Sequence, residues 1–140
     1  MNGFIEVMNV VKDGPAPVIL IVESYPDLRM LAVQFLKEEG FETLEAGDAD
    51  HAIAILESRP EIAVLFTNID MPGTMNGTKL ARVVHHRWPA IEILIASGHV
   101  GFPLANLPPN GRFLAKPYLA EAMIAELHSL IGHVARPMQA

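Results

Sequence analysis

The sequence contains no cysteine, which excludes disulfides, thiolate metal ligands and thiol nucleophiles. It is also short of basic residues. Ten Lys and Arg stand against sixteen Asp and Glu, for a net charge of -6. General nucleic-acid binders gain affinity by neutralising phosphates with cations, so that class is set aside. No apolar run approaches the roughly 20 residues of a membrane span. The N-terminus lacks the basic start and long apolar stretch of a secretory signal. No internal repeat or low-complexity segment stands out. What remains is a chain of 140 residues, 51% of them hydrophobic. That is enough for one domain with its own core. A soluble, cytoplasmic protein is expected, with no membrane or nucleic-acid partner.

Residues 1–17 read as an arm or linker. Asp13-Gly14-Pro15-Ala16-Pro17 has turn composition, and Phe4, Ile5, Val7, Met8, Val10 and Val11 before it are apolar enough to dock. From residue 18 an alternation begins. Val18 to Val22 is a short apolar run rich in β-branched residues, as in a strand buried on both faces. Leu28, Leu31, Ala32, Phe35 and Leu36 recur at helical spacing up to Gly40. Glu42 to Ala46 alternates like an edge strand, and Asp48 caps the next helix. Ile62 to Phe66, Ile91 to Ala96 and Arg112 to Ala115 are the remaining strands. Leu80, Val83, Val84 and Arg87 mark the third helix, and Ala120 to Ile131 the last.

Alternating strands and helices imply a parallel sheet covered on both faces. The expected fold is α/β, a flavodoxin-like doubly wound sheet of five strands in the order 2-1-3-4-5. Between the fourth and fifth strands, residues 98–111 carry three prolines and three glycines. The helix due there is expected to be shortened or replaced by a loop. Residues 18–131 form the expected domain, with 132–140 as a tail.

In such sheets ligands bind beyond the carboxyl ends of the strands. Strand one ends at Glu23-Ser24, strand three at Thr67-Asn68, strand four at Ser97 and strand five at Lys116-Pro117. An acid, an amide, a hydroxyl and an ammonium are therefore expected to converge. Singly, each is most simply a solvated loop residue; the joint pattern on four strands is more specific. The scattered histidines show no metal-ligand spacing, and adjacent His85 and His86 point to different sides of a helix.

With these residues the chain resembles a response-regulator receiver domain. The likeness rests on Val18-Ile19-Leu20-Ile21-Val22-Glu23-Ser24, Val64-Leu65-Phe66-Thr67-Asn68-Ile69-Asp70-Met71-Pro72-Gly73, Ile95-Ala96-Ser97-Gly98 and Phe113-Leu114-Ala115-Lys116-Pro117. The resemblance implies a two-component signalling module, not an enzyme. In that family an aspartate ending strand three accepts a phosphoryl group from a kinase histidine, with magnesium held by an acidic pair after strand one. A backbone carbonyl two residues past the acceptor also serves the metal. A hydroxyl after strand four and a lysine after strand five contact the phosphate. The matching positions here are Asn68 for the acceptor, Glu23, Ser24 and Asp70 for the metal pocket, and Ser97 and Lys116 for phosphate contact.

Two of these depart from the pattern. Asn68 replaces the acceptor aspartate, and Ser24 replaces one acid of the pair. A carboxamide cannot form the acyl phosphate, and the donor set for magnesium is reduced, so no cofactor or weak magnesium binding is expected. Lys116 is expected to hydrogen-bond Asn68 and Glu23. The implied function is a stand-alone pseudo-receiver that binds a sensor histidine kinase or another response regulator without phosphorylation, and that forms a homodimer. The alternative is a working phosphoacceptor, with Asn68 engineered or Asp70 substituting. A flavin or nucleotide binder on the same fold is disfavoured, because Glu23-Ser24-Tyr25-Pro26 has no glycine cradle for phosphate.

Overall fold

The computed structural model describes residues 16–70, 73, 75–98, 107–109 and 111–135, with backbone alone from 132. The elements run β1 (Val18–Val22), α1 (Pro26–Glu38), β2 (Glu42–Ala46), α2 (Ala49–Ser58), β3 (Ile62–Asn68), α3 (Gly77–Arg87), β4 (Glu92–Ser97), β5 (Gly111–Ala115) and α4 (Ala120–Ala135). All strand pairs are parallel, in the order β2-β1-β3-β4-β5. This is the doubly wound, flavodoxin-like sheet expected. The predicted arm lies outside the described residues up to residue 15, as does most of the proline-rich stretch after β4. Among the described residues there is no helix between β4 and β5.

The two-sided core follows from strand alternation. In β1, Val18, Leu20 and Val22 face one layer, while Ile19 and Ile21 face the other; all five are buried. The first layer packs against α2 and α3 through Ala52, Leu56, Leu80 and Val84. The second packs against α1 and α4 through Leu36, Met123, Leu127 and Leu130. The edge strand β2 keeps its last residue, Ala46, fully buried and exposes Glu42 and Glu45.

Helix ends obey local rules. The Asp48 carboxylate accepts the His51 amide at 2.8 Å and caps α2. The Asn76 carboxamide does the same for α3, accepting Lys79 N at 3.0 Å. After α1, Gly40 adopts φ 94°, a left-handed turn that a side chain would disfavour. Its amide donates to Lys37 O and that of Phe41 to Leu36 O, the paired bonds of a glycine-terminated helix.

One expectation about α1 needs correction. Its buried face is Ala32, Val33 and Leu36, whereas Leu28 is 50% and Leu31 46% exposed. The apolar stripe is wider than the core requires, and its first turns border an open cleft. At the other end of the chain, α4 runs to Ala135, beyond the predicted end at Ile131.

Truncating Leu65, which is fully buried in the central strand β3, is expected to cost about 2–5 kcal/mol in urea unfolding. Removing the Asp48 cap as Asp48→Ala should cost only about 1 kcal/mol. Equal losses in the two variants would contradict this account of where the stability resides.

Candidate functional site

The parallel ladder continues one residue past three strands. Glu23 N donates to Ala46 O at 3.1 Å, Ile69 N to Ala96 O at 3.0 Å, and Lys116 N to Ser97 O at 2.8 Å. The residues at the strand ends are thus held by backbone, not left on free loops. Glu23, Asn68 and Ser97 are buried, and Lys116 is part-buried.

Glu23, Asn68 and Lys116 line one cleft between α1 and the start of α4. The Lys116 ammonium stands 3.9 Å from Glu23 Oε1, an ion pair too long for a hydrogen bond. The other Glu23 oxygen accepts the Tyr25 amide at 3.1 Å. Ser24, Asp70 and Ser97 do not line this cleft. Alternation along β4 explains Ser97: Ala96 belongs to the layer of α1 and α4, so its neighbour turns to the other layer. Asp70 lies exposed, past the end of β3.

The expected bond from Lys116 to Asn68 is not made. Instead Asn68 Nδ2 donates to the Asp70 carbonyl at 3.2 Å. That bond engages the amide N–H groups; the expected bond would have run from the Lys116 ammonium to Asn68 Oδ1, because an ammonium can only donate. Asn68 Oδ1 is buried with no hydrogen-bond partner among the described residues.

Sequence reasoning missed three contributors. Arg29 sends Nη1 to the Glu23 carbonyl at 2.6 Å and Nε to Glu45 at 3.3 Å, tying the turn after β1 to β2. Its place in the first turns of α1 gave no hint of this role. Gly77, at the start of α3, donates its amide to Ile69 O at 3.0 Å. A Cβ there would overlap the Asn68 carbonyl. Tyr118 packs on Phe66, ring centroids 6.2 Å apart. Burial first, and then the nearby Glu23 charge, push its phenol above its usual value.

The receiver-domain model of response regulators matches residues 19–128, more than three quarters of the chain. The chain belongs to the response-regulator receiver-domain family. It is 30% identical over 111 residues to the nitrogen assimilation regulatory protein NtrX of Azorhizobium caulinodans, covering 76% of this chain and 24% of that protein. It is 30% identical over 123 residues to the transcriptional regulatory protein TcrA of Mycobacterium tuberculosis, covering 85% and 48%. The chain thus spans less than half the length of these curated relatives. A response regulator receiver protein from Sinorhizobium medicae superposes with a TM-score of 0.78 at 26% identity, over 84% of this chain and 96% of that one. TrrA of Thermotoga maritima, solved in complex with Mg2+-BeF, shares the fold with a TM-score of 0.72 at 20% identity, over 81% and 98%.

Receiver domains bind magnesium at the phosphorylation site, so the donor set of this receiver decides what it can hold. Of the two carboxylates at the matched positions, Glu23 and Asp70, only Glu23 lines the cleft, and it already engages Tyr25 N and Lys116. The Asp70 carbonyl is taken by Asn68. Among the described residues no three His, Asp or Glu side chains cluster as a metal site. Magnesium demands near-octahedral hard oxygen ligands, and these positions supply few of them.

Gly77→Ala is expected to destabilise the receiver by roughly 1–3 kcal/mol, because backbone must yield to the new methyl group. Chemical denaturation measures it, and a neutral result would mean that the helix start is not seated on Asn68. For Tyr118 the folded pKa is raised, so its stabilising share is complete below the unfolded value of about 10 and is lost as pH rises through the folded one. Tyr118→Phe should therefore flatten the alkaline end of a stability–pH profile. An unchanged slope would count against the burial of the phenol.

Proposed function

We propose that this receiver acts by binding other proteins without accepting a phosphoryl group. The observation that carries the reading is Asn68 itself, 5% exposed at the end of β3 and hydrogen-bonded to the Asp70 carbonyl. Its amide nitrogen is delocalised into the carbonyl and is a poor nucleophile. Its N–H also occupies an oxygen that, in the resemblance drawn above, would serve the metal. The amide hydrogen thus supplies locally a little of the positive charge that a cation would supply.

Glu23, Ser24 and Asp70 mark the remnant of the acidic pocket, and magnesium binding there is weak. Ser97 and Lys116 keep the phosphate-contact positions, although Lys116 pairs with Glu23 and Ser97 faces away from the cleft. The domain has no catalytic role of its own. The partner is a sensor histidine kinase or another response regulator. Exposed Met30 on α1 and Leu119 before α4 offer apolar surface for it outside the cleft. The same apolar surface supports a homodimer. The charge of -6 speaks against nucleic acid, and no helix among the described residues is long and apolar enough to cross a membrane. A cytoplasmic setting suits such a partner. The domain runs from residue 18 through the end of α4 at Ala135, past the expected boundary at 131.

Incubation with a small phosphodonor and magnesium, read by intact mass, tests the proposal. The chain as given should gain nothing, and Asn68→Asp should gain one phosphoryl group. A gain by the unaltered chain would overturn the reading and direct attention to Asp70, which is exposed, as the acceptor.

A further inference from the structure

The cleft shared by Glu23, Asn68 and Lys116 extends well past them, to a volume of about 540 Å3. That lies within the range of small-molecule pockets, about 300–1,000 Å3. Its polar groups gather at one end. The remainder is apolar, formed by Leu28, Leu31 and Phe35 of α1, Phe66 of β3 and Met123 of α4. Leu28 and Leu31 stay about half exposed there, so the protein leaves apolar surface wet where a ligand body would cover it.

The polar end selects the head group. Glu23 and Lys116 stand 3.9 Å apart and cancel in charge. An anionic head would meet the Glu23 carboxylate, and a cationic one the Lys116 ammonium. Either would give up hydration for a site with no net charge to offer. Asn68 Oδ1 lacks a donor. Asn68 lines the cleft, and the torsion that carries this oxygen is soft. Lys116 offers N–H donors with no acceptor of its own. A group bearing one N–H and one C=O side by side satisfies both. Tyr118, which lines the same end, keeps its phenol proton and adds a further donor.

We infer that this cleft binds a small, neutral, mostly apolar molecule headed by a carboxamide or lactam. The inference does not rest on the protein-binding reading, because neither a kinase nor a phosphoryl group enters it. A failed phosphorylation test leaves it standing, and its own failure leaves that test untouched.

The experiment is a titration of the 15N-labelled full chain, followed by amide chemical shifts. The probes are 3-phenylpropanamide, 3-phenylpropionate and 3-phenylpropylammonium, which share one body and differ in head. The amide should bind with a Kd on the order of 1 mM, moving the signals of Leu31, Asn68 and Lys116. Both charged probes should bind at least about fivefold more weakly, the scale of one hydrogen bond. Leu28→Trp fills the mouth of the cleft from a half-exposed position, and Lys116→Met removes the donor. Each variant, shown folded by its own spectrum, should weaken the amide by about fivefold or more. Equal binding of the three probes overturns the head-group assignment. Absence of shifts up to the solubility limit, or binding indifferent to both variants, overturns the site.

Discussion

Everything at the carboxyl edge of this sheet depends on backbone pairing that outlasts the strands. A parallel ladder normally frays into loops, and a loop lets side chains wander. Here the bonds from Glu23, Ile69 and Lys116 carry the ladder one residue further. They bring an acid, an amide and an ammonium to one side of the sheet, because those residues share the parity of Ile21, Phe66 and Leu114. The same parity turns Ser97 away. Convergence of strand ends is thus a property of topology, but the face each end presents is a property of register.

A buried site has to manage its charge. In the family pattern several carboxylates crowd together and need a cation to hold them. Asn68 removes one charge at a buried position, and a neutral amide is far cheaper to desolvate than a carboxylate. Glu23 then needs one counter-charge, which Lys116 supplies at 3.9 Å. The Asp70 carbonyl finds a donor in Asn68 Nδ2. The pocket is close to self-sufficient, with the Asn68 oxygen as the group left wanting.

Much of this was legible in the sequence. Five β-branched or leucine residues in β1 matched a strand buried on both faces, alternation implied the parallel sheet, and the strand order was that of the flavodoxin-like doubly wound fold. Asp48 and Gly40 did what their chemistry predicts at helix ends. Long-range choices were not legible. No local rule says that Arg29 reaches the Glu23 carbonyl, or that Asn68 Nδ2 donates to the Asp70 carbonyl while Oδ1 goes without the Lys116 ammonium. The α1 stripe was misjudged because periodicity reports which residues are apolar, not whether a partner layer is wide enough to cover them all. Gly77 gave no sign that its missing side chain clears the Asn68 carbonyl, since close approach belongs to tertiary packing.

The exposed edge of the sheet has a consequence for association. An open edge strand is a template for pairing with another chain. Along β2, Glu42 and Glu45 stand exposed, and Glu45 is only loosely neutralised by Arg29 at 3.3 Å. Two copies meeting through this edge would confront carboxylates with carboxylates as the ladder tried to grow. Acidic gatekeepers of this kind block runaway sheet extension. Of the two edges of the sheet, the β2 edge is thereby a poor template for contact that propagates.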